Sequence, residues 1–228
     1  MKASRLRNPY VAVMREGALS YGGSQSWSEN AMIQKYGCGV AAGTDLLLYL
    51  SLYKESCASS LLGKMTEGSG ILETEQYLEC AKKMRHSYFP VIPYFGMPGW
   101  LLCAGINRYF QCAKIPLKAS FGVLGRNIWN RISAMLAHDI PVILAVGPNF
   151  PIPWKRHKLA LYEKNGKGQY LPAAEICAHF VTVTGMDEVY MKVSSWGREY
   201  YIDREEFVGY VRKYSSFLVS NVCYIRKR

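Results

Sequence analysis

The 228-residue chain lacks an apolar run long enough to cross a bilayer. The stretch LLLYLSLY at residues 46–53 falls well short of the about 20 apolar residues that a spanning helix needs. The opening segment MKASRLRNPYVAV carries basic residues but no apolar h-region, so no secretory signal is expected. No Gly/Ser-rich or highly charged stretch is long enough to act as a linker, and there is neither an internal repeat nor a low-complexity tract. One domain over residues 1–228 is therefore expected. Cys-x-x-Cys is also missing, and Cys103 and Cys112 stand nine apart, which argues against a zinc site and leaves no metal or cofactor expected. Seven cysteines without a signal fit reduced thiols in a cytoplasmic protein. Acidic residues are few, 17 against 28 Lys and Arg, for a net charge of +11. The basic residues are scattered, with Arg226-Lys227-Arg228 as the one dense run, and no nucleic-acid motif accompanies them. Nucleic-acid binding is not expected. The excess of basic residues suits an acidic partner.

What is present is half apolar and 13% aromatic, enough for a sizeable core. Residues 1–30 look irregular. Apolar spacing predicts helices over 41–53, 74–84 (with Thr74 as N-cap), 100–113, 128–136 and 205–214. Strands are predicted near 116–122, 141–146, 180–185, 190–193, 200–203 and 217–225. TEGSG (66–70) and PNFPIPW (148–154) read as breaks. Helices first and an antiparallel sheet second give an α+β layout with a cleft between the two parts.

One stretch carries chemistry. In QKYGCGVAAGTDLLLYL (34–50) a cysteine stands between two glycines at the start of an apolar helix. There the unpaired backbone N–H groups and the positive end of the helix dipole favour a thiolate, so Cys38 is the candidate nucleophile. The other six cysteines read as small core residues. A nucleophile needs a base. Of the four histidines, His86, His138 and His157 fall at surface positions, whereas His179 opens the β-branched strand HFVTVTGMD. VSSWGREYYID (193–203) then ends a strand with Trp-Gly. The hairpin would return Ser194 to His179, with Trp196 shielding the ring.

In this order the motifs resemble the papain-like cysteine peptidases, and among them the C39-like group. GCGVAAGTDLLLYL is similar to that group's Cys-Gly motif opening the first long helix, and ISAMLAHDIPVILAV to its helix and Pro-initiated strand. HFVTVTGMD is similar to its histidine strand, SSWGREYYID to the Asn-Ser-Trp-Gly turn, and DREEFVGYV to the helix that follows. The resemblance implies a papain-like fold, with the nucleophile helix of an N-terminal helical part packed on a C-terminal antiparallel sheet. It also implies a cysteine-dependent hydrolase, a peptidase working through an acyl-enzyme, with a peptide or acyl substrate. The alternatives are an acyltransferase on the same fold and a catalytically degenerate peptide-binding protein.

The third catalytic position, asparagine in papain-type members and usually aspartate in C39 members, is Ser194 here. Asp187 and Asp203 are alternative orienters. The oxyanion glutamine of the family lies about six residues before the cysteine, where this chain has Met32. Gln34 is the expected donor, in preference to Asn30, beside the backbone N–H of Cys38.

Overall fold

The computed structural model describes residues 3–58, 62, 70–124, 127–151 and 157–228. The predicted TEGSG break lies outside these apart from Gly70, as do residues 152–154 of the PNFPIPW break. Three short strands and a 3₁₀ turn, β1 (Ser4–Arg5), β2 (Ala12–Arg15), β3 (Ala18–Leu19) and Gln25–Trp27, lead into α1 (Ala31–Tyr36) and α2 (Cys38–Tyr53). Then come β4 (Ile71–Glu73), α3 (Thr74–Ser87), α4 (Gly99–Cys112), β5 (Leu117–Phe121), α5 (Asn127–Ala137) and β6 (Val142–Val146). The C-terminal part is β7 (Leu159–Lys164), β8 (Tyr170–Ile176), β9 (His179–Met186), β10 (Tyr190–Ser195), β11 (Arg198–Asp203), α6 (Arg204–Tyr214) and β12 (Val222–Lys227).

The architecture is α+β. The large sheet runs β5-β12-β6-β9-β10-β11-β7-β8, with β1 also paired to β9, and its pairings are antiparallel. A small sheet, β3-β2-β4, ties the N-terminal segment to α3. β6 is VILAV and buried throughout, and β9 is buried after its first residue, so these two strands are covered on both faces.

α2 is buried on nearly its whole circumference, as expected of a helix with an apolar run and little polar surface. It packs across β9 and against α3 and α4. The close approach to β9 uses Gly39, where a Cβ would stand 3.3 Å from the Phe180 ring. The first turn of α2 therefore lies against the first residues of β9.

Sequence periodicity placed the long helices and inner strands to within a few residues, and two details are corrected. The N-cap of α3 is Glu73, in a reciprocal capping box with Gln76, whereas Thr74 Oγ1 donates to Met14 O at 2.8 Å. The region expected to be irregular, 1–30, holds β1, two strands of the small sheet and the 3₁₀ turn and leads into α1, elements of two to six residues that are too short to show a period. Hairpin β7–β8 was not predicted, because its strand β8 faces solvent and mixes polar with apolar residues.

Candidate active site

α2 starts at Cys38 because Gly37, with φ −90° and ψ 12°, breaks from α1 and serves as N-cap without a side-chain bond. The first backbone N–H groups of the helix are thus left to the sulfur. The backbone N–H groups of Phe180, Gly39 and Cys38 itself act on the thiol in the direction that favours its ionised form. Cys38 lines a narrow cleft of about 20 Å³ together with His179, Ser195, Trp196, Gln25 and Asp45.

The histidine side is built by β9 and the β10–β11 hairpin. His179 is the first residue of β9 and pairs with Val146 at the end of β6. Trp196 and Gly197 both have positive φ, 51° and 76°, as a two-residue type I′ hairpin turn requires. That turn brings the Trp196 ring to 4.7 Å from the imidazole, the position expected of a shield.

Ser195, not Ser194, contacts the ring: His179 Nε2 and Ser195 Oγ are 2.8 Å apart. Ser194 pairs with Thr182 and donates its hydroxyl to Tyr21 O at 2.7 Å. Neighbours on a strand point to opposite faces, so only one of the two serines can face the imidazole. A register shift between Lys192 and Val193 sets which one, and no sequence period reveals it. Asp187 is spent on the turn amides of Val189 and Tyr190, and Asp203 caps α6 through Glu205 N and Glu206 N. Neither aspartate is aimed at the ring.

Gln34 is exposed on α1, and its amide donates to Ser28 O at 2.7 Å. Asn30 is the α1 N-cap, accepting from Met32 N and Ile33 N. The amide that lines the cleft belongs to Gln25, thirteen residues before Cys38 in sequence. One of its N–H groups donates to Gln34 O at 2.9 Å, and the other has no partner among the described residues.

Asp45, two turns along α2 from Cys38, holds the loop in place. Only 3% exposed, it accepts from Gly23 N at 3.0 and 3.2 Å, from Tyr77 Oη at 2.9 Å and from Tyr10 Oη at 3.4 Å. Burial pushes its carboxyl up to about 6, against these hydrogen bonds. The anchoring needs glycine at position 23, where a Cβ would overlap the Tyr77 ring.

Burial also decides the charge state of the two reactive groups. It pushes the Cys38 thiol up from its ordinary 9, outweighing the backbone N–H groups of Phe180, Gly39 and Cys38 itself. It pushes the His179 imidazole down to about 4. The resting pair is a neutral thiol and a neutral imidazole across the intervening range. The thiolate expected from a helix N-terminus is not favoured, because desolvation outweighs the end of the dipole.

Two measurements follow. Iodoacetamide labelling of Cys38 at pH 6 should be slow and should rise only in the alkaline range, whereas an ion pair would label fast at pH 6. The acid side can be read from folding. The unfolded state takes a proton on this histidine near 6.5 and the folded state near 4, so the His179 contribution to stability falls as pH drops between those values. Asp45 acts in the opposite sense, its contribution falling as pH rises from 3.8 to about 6. His179→Gln should therefore raise stability at pH 4.5 relative to pH 8 in urea titrations. An unchanged difference between the two pH values would refute the lowered imidazole.

The other histidines stand apart from the cleft. His86 and His138 are exposed, and His157 stacks on Tyr214 at 3.8 Å. Cys57, Cys80, Cys103 and Cys223 are buried, as small core residues should be, but Cys112 is exposed and Cys177 half-buried. Among the described residues no group of three or more metal-ligating side chains comes together, and no helix is long and apolar enough to cross a membrane.

No family model matches the chain, and no curated protein matches it. A solved structure of a Bacillus anthracis protein assigned as a C39-like peptidase aligns with it at 15% identity and a TM-score of 0.47, covering 100% of this chain and 99% of the other.

Proposed function

We propose that the chain is a single papain-like domain of the C39-like kind and a cysteine-dependent hydrolase, a peptidase acting through Cys38 and His179. The observation that carries this reading is the shared cleft, in which a helix-start thiol and an imidazole held at Nε2 by Ser195 line one narrow space. With Nε2–H donating to Ser195 Oγ, the Nδ1 lone pair is free to take the thiol proton. Sulfur then attacks the carbonyl carbon as that proton leaves, without a resting ion pair. The backbone N–H of Cys38 and the second N–H of Gln25 receive the oxyanion. As the intermediate collapses, the C–N bond breaks and His179 returns the proton to the leaving amine. Water, deprotonated by His179, then cleaves the thioester, releasing the acid and the thiol.

The test is acyl trapping with 4-nitrophenyl acetate. The peptide bearing Cys38 should gain one acetyl group while the other six cysteines stay free. Acetylation spread over the cysteines, or absent from Cys38, would count against the proposal. In the same assay Ser195→Ala should acylate about tenfold more slowly, the loss of one neutral hydrogen bond worth about 1.4 kcal/mol, while Ser194→Ala stays within about twofold of wild type. Equal effects of the two changes would remove Ser195 as the residue that positions His179.

A further inference from the structure

The space at the dyad is too small to select a substrate, so recognition has to happen next to it. A second cavity of about 440 Å³ opens between α3, the start of α2 and the loop 24–30. That volume lies within the range of about 300–1,000 Å³ typical of ligand clefts. Gln25 and Ala41 line both spaces, so the two lie side by side.

The wall contributed by α3 is graded. At one end are Tyr77, Leu78 and Ala81, and at the other Lys82 and Arg85. The apolar end is the one beside the reactive groups, because Tyr77 Oη bonds Asp45, which itself lines the dyad cleft. Ile33 and Val40, both buried, also line the cavity. The basic end has a surplus of charge. Glu79 is paired with Lys83 at 2.8 Å. Among the described residues neither Lys82 nor Arg85 forms an ion pair, and Arg85 reaches only Met32 Sδ at 4.0 Å. Glu29 is the lining carboxylate left against these two cations.

We infer that this groove is a substrate subsite for an extended peptide segment that presents an apolar side chain next to the scissile bond and an acidic side chain further out on the same side. Tyr77 to Lys82 and Arg85 spans five to eight helical residues, about 8–12 Å at 1.5 Å per residue. Extended peptide rises about 3.3 Å per residue, which puts the acidic group about two to four residues beyond the apolar one. The inference rests on the Cys38–His179 reading for which end of the groove faces the reaction.

The test measures binding alone, by fluorescence anisotropy on the full chain carrying Cys38→Ala. The probes are dye-labelled Gly/Ser peptides holding leucine and glutamate about three residues apart, in both orders, with counterparts carrying lysine for glutamate or alanine for leucine. One order of the Leu/Glu peptide should bind roughly tenfold tighter than either counterpart, and added salt should erode the charge preference. Adding Lys82→Glu and Arg85→Glu should reverse that preference toward the lysine peptide, a gain that a misfolded variant cannot give. Equal binding of all peptides, no binding, or a glutamate preference that survives the double change would overturn the subsite. Cys38 chemistry plays no part in this measurement. The preference found alongside an inert Cys38 would sink the hydrolase reading and keep the groove. Acylation of Cys38 without the preference would sink the groove alone.

Discussion

Cys38→Ala is expected to abolish peptide hydrolysis outright, and His179→Ala to slow acylation of Cys38 about 10²–10⁴-fold, the usual contribution of a positioned general base. The first effect is total because the proposed acyl group is carried on sulfur and alanine offers no nucleophile. The second is large because the pair rests neutral. Burial holds the thiol above its ordinary value and the imidazole at about 4, so the thiol has to lose its proton during the attack, and without the imidazole no positioned base takes it. Neither change should unfold the protein. Cys38 is half-buried at a helix start, and its loss should cost under about 1 kcal/mol. The measurement is digestion of a mixed peptide pool, with new termini read by mass spectrometry, beside circular dichroism of each variant. Cleavage that persists in Cys38→Ala would move the chemistry to another residue. Full-speed acylation in His179→Ala would leave Cys38 as nucleophile and deny the base.

The helix that carries Cys38 and the strand that carries His179 were legible because each has a period. Leu46, Leu47, Leu50 and Tyr53 repeat at helical spacing, and HFVTVTGM alternates β-branched residues. Trp196 was legible because Trp-Gly fits a two-residue turn. The partners of these residues were not. Ser194 and Ser195 differ by one position on a strand, and the register shift at Lys192/Val193 decides which faces the ring. Gln25 lies thirteen residues before Cys38, on the far side of α1, so nearness in sequence pointed to Gln34 instead. A signal for Asp45 was present: a carboxylate inside an otherwise apolar helix must find donors when buried. Its donors, Gly23, Tyr77 and Tyr10, come from three separate segments, and only the fold brings them together. The groove is further still from sequence, because its walls come from the 24–30 loop, α1, α2 and α3.

The largest effect on stability is expected at Asp139, remote from the chemistry. It lies in the turn between α5 and β6, with φ 58°, and is 3% exposed. Its carboxylate accepts from Arg7 N at 2.8 Å, Asn8 N at 3.4 Å, Asn8 Nδ2 at 2.8 Å and Tyr49 Oη at 2.6 Å, and Lys54 Nζ stands 3.4 Å away. One side chain thus ties the N-terminal segment, α2 and the turn into β6 to one another. β6 is the strand beside β9, so the same knot fixes the helix of Cys38 relative to the strand of His179. Burial works to raise the Asp139 carboxyl, but the bonds from Tyr49, Arg7 and Asn8 and the Lys54 charge hold it down at about 2. Because the folded value is below the unfolded 3.8, the stabilisation is present above 3.8 and is lost as pH falls toward 2. Asp139→Ala removes the acceptor and leaves a buried hydroxyl, half-buried amides and a half-covered ammonium without it. Such a loss typically costs about 3–5 kcal/mol, which for a chain of this size lowers Tm by roughly 6–20 °C. Asp139→Asn keeps the shape and one acceptor oxygen, so it should cost less and should flatten the acid limb between pH 4 and 2. Urea titrations at pH 7 and pH 3 measure both effects, with an unchanged m-value showing that the unfolded state is not the cause. A loss under about 1 kcal/mol in Asp139→Ala would mean that water replaces the carboxylate, and that α2 and the sheet are held together by their apolar contact alone.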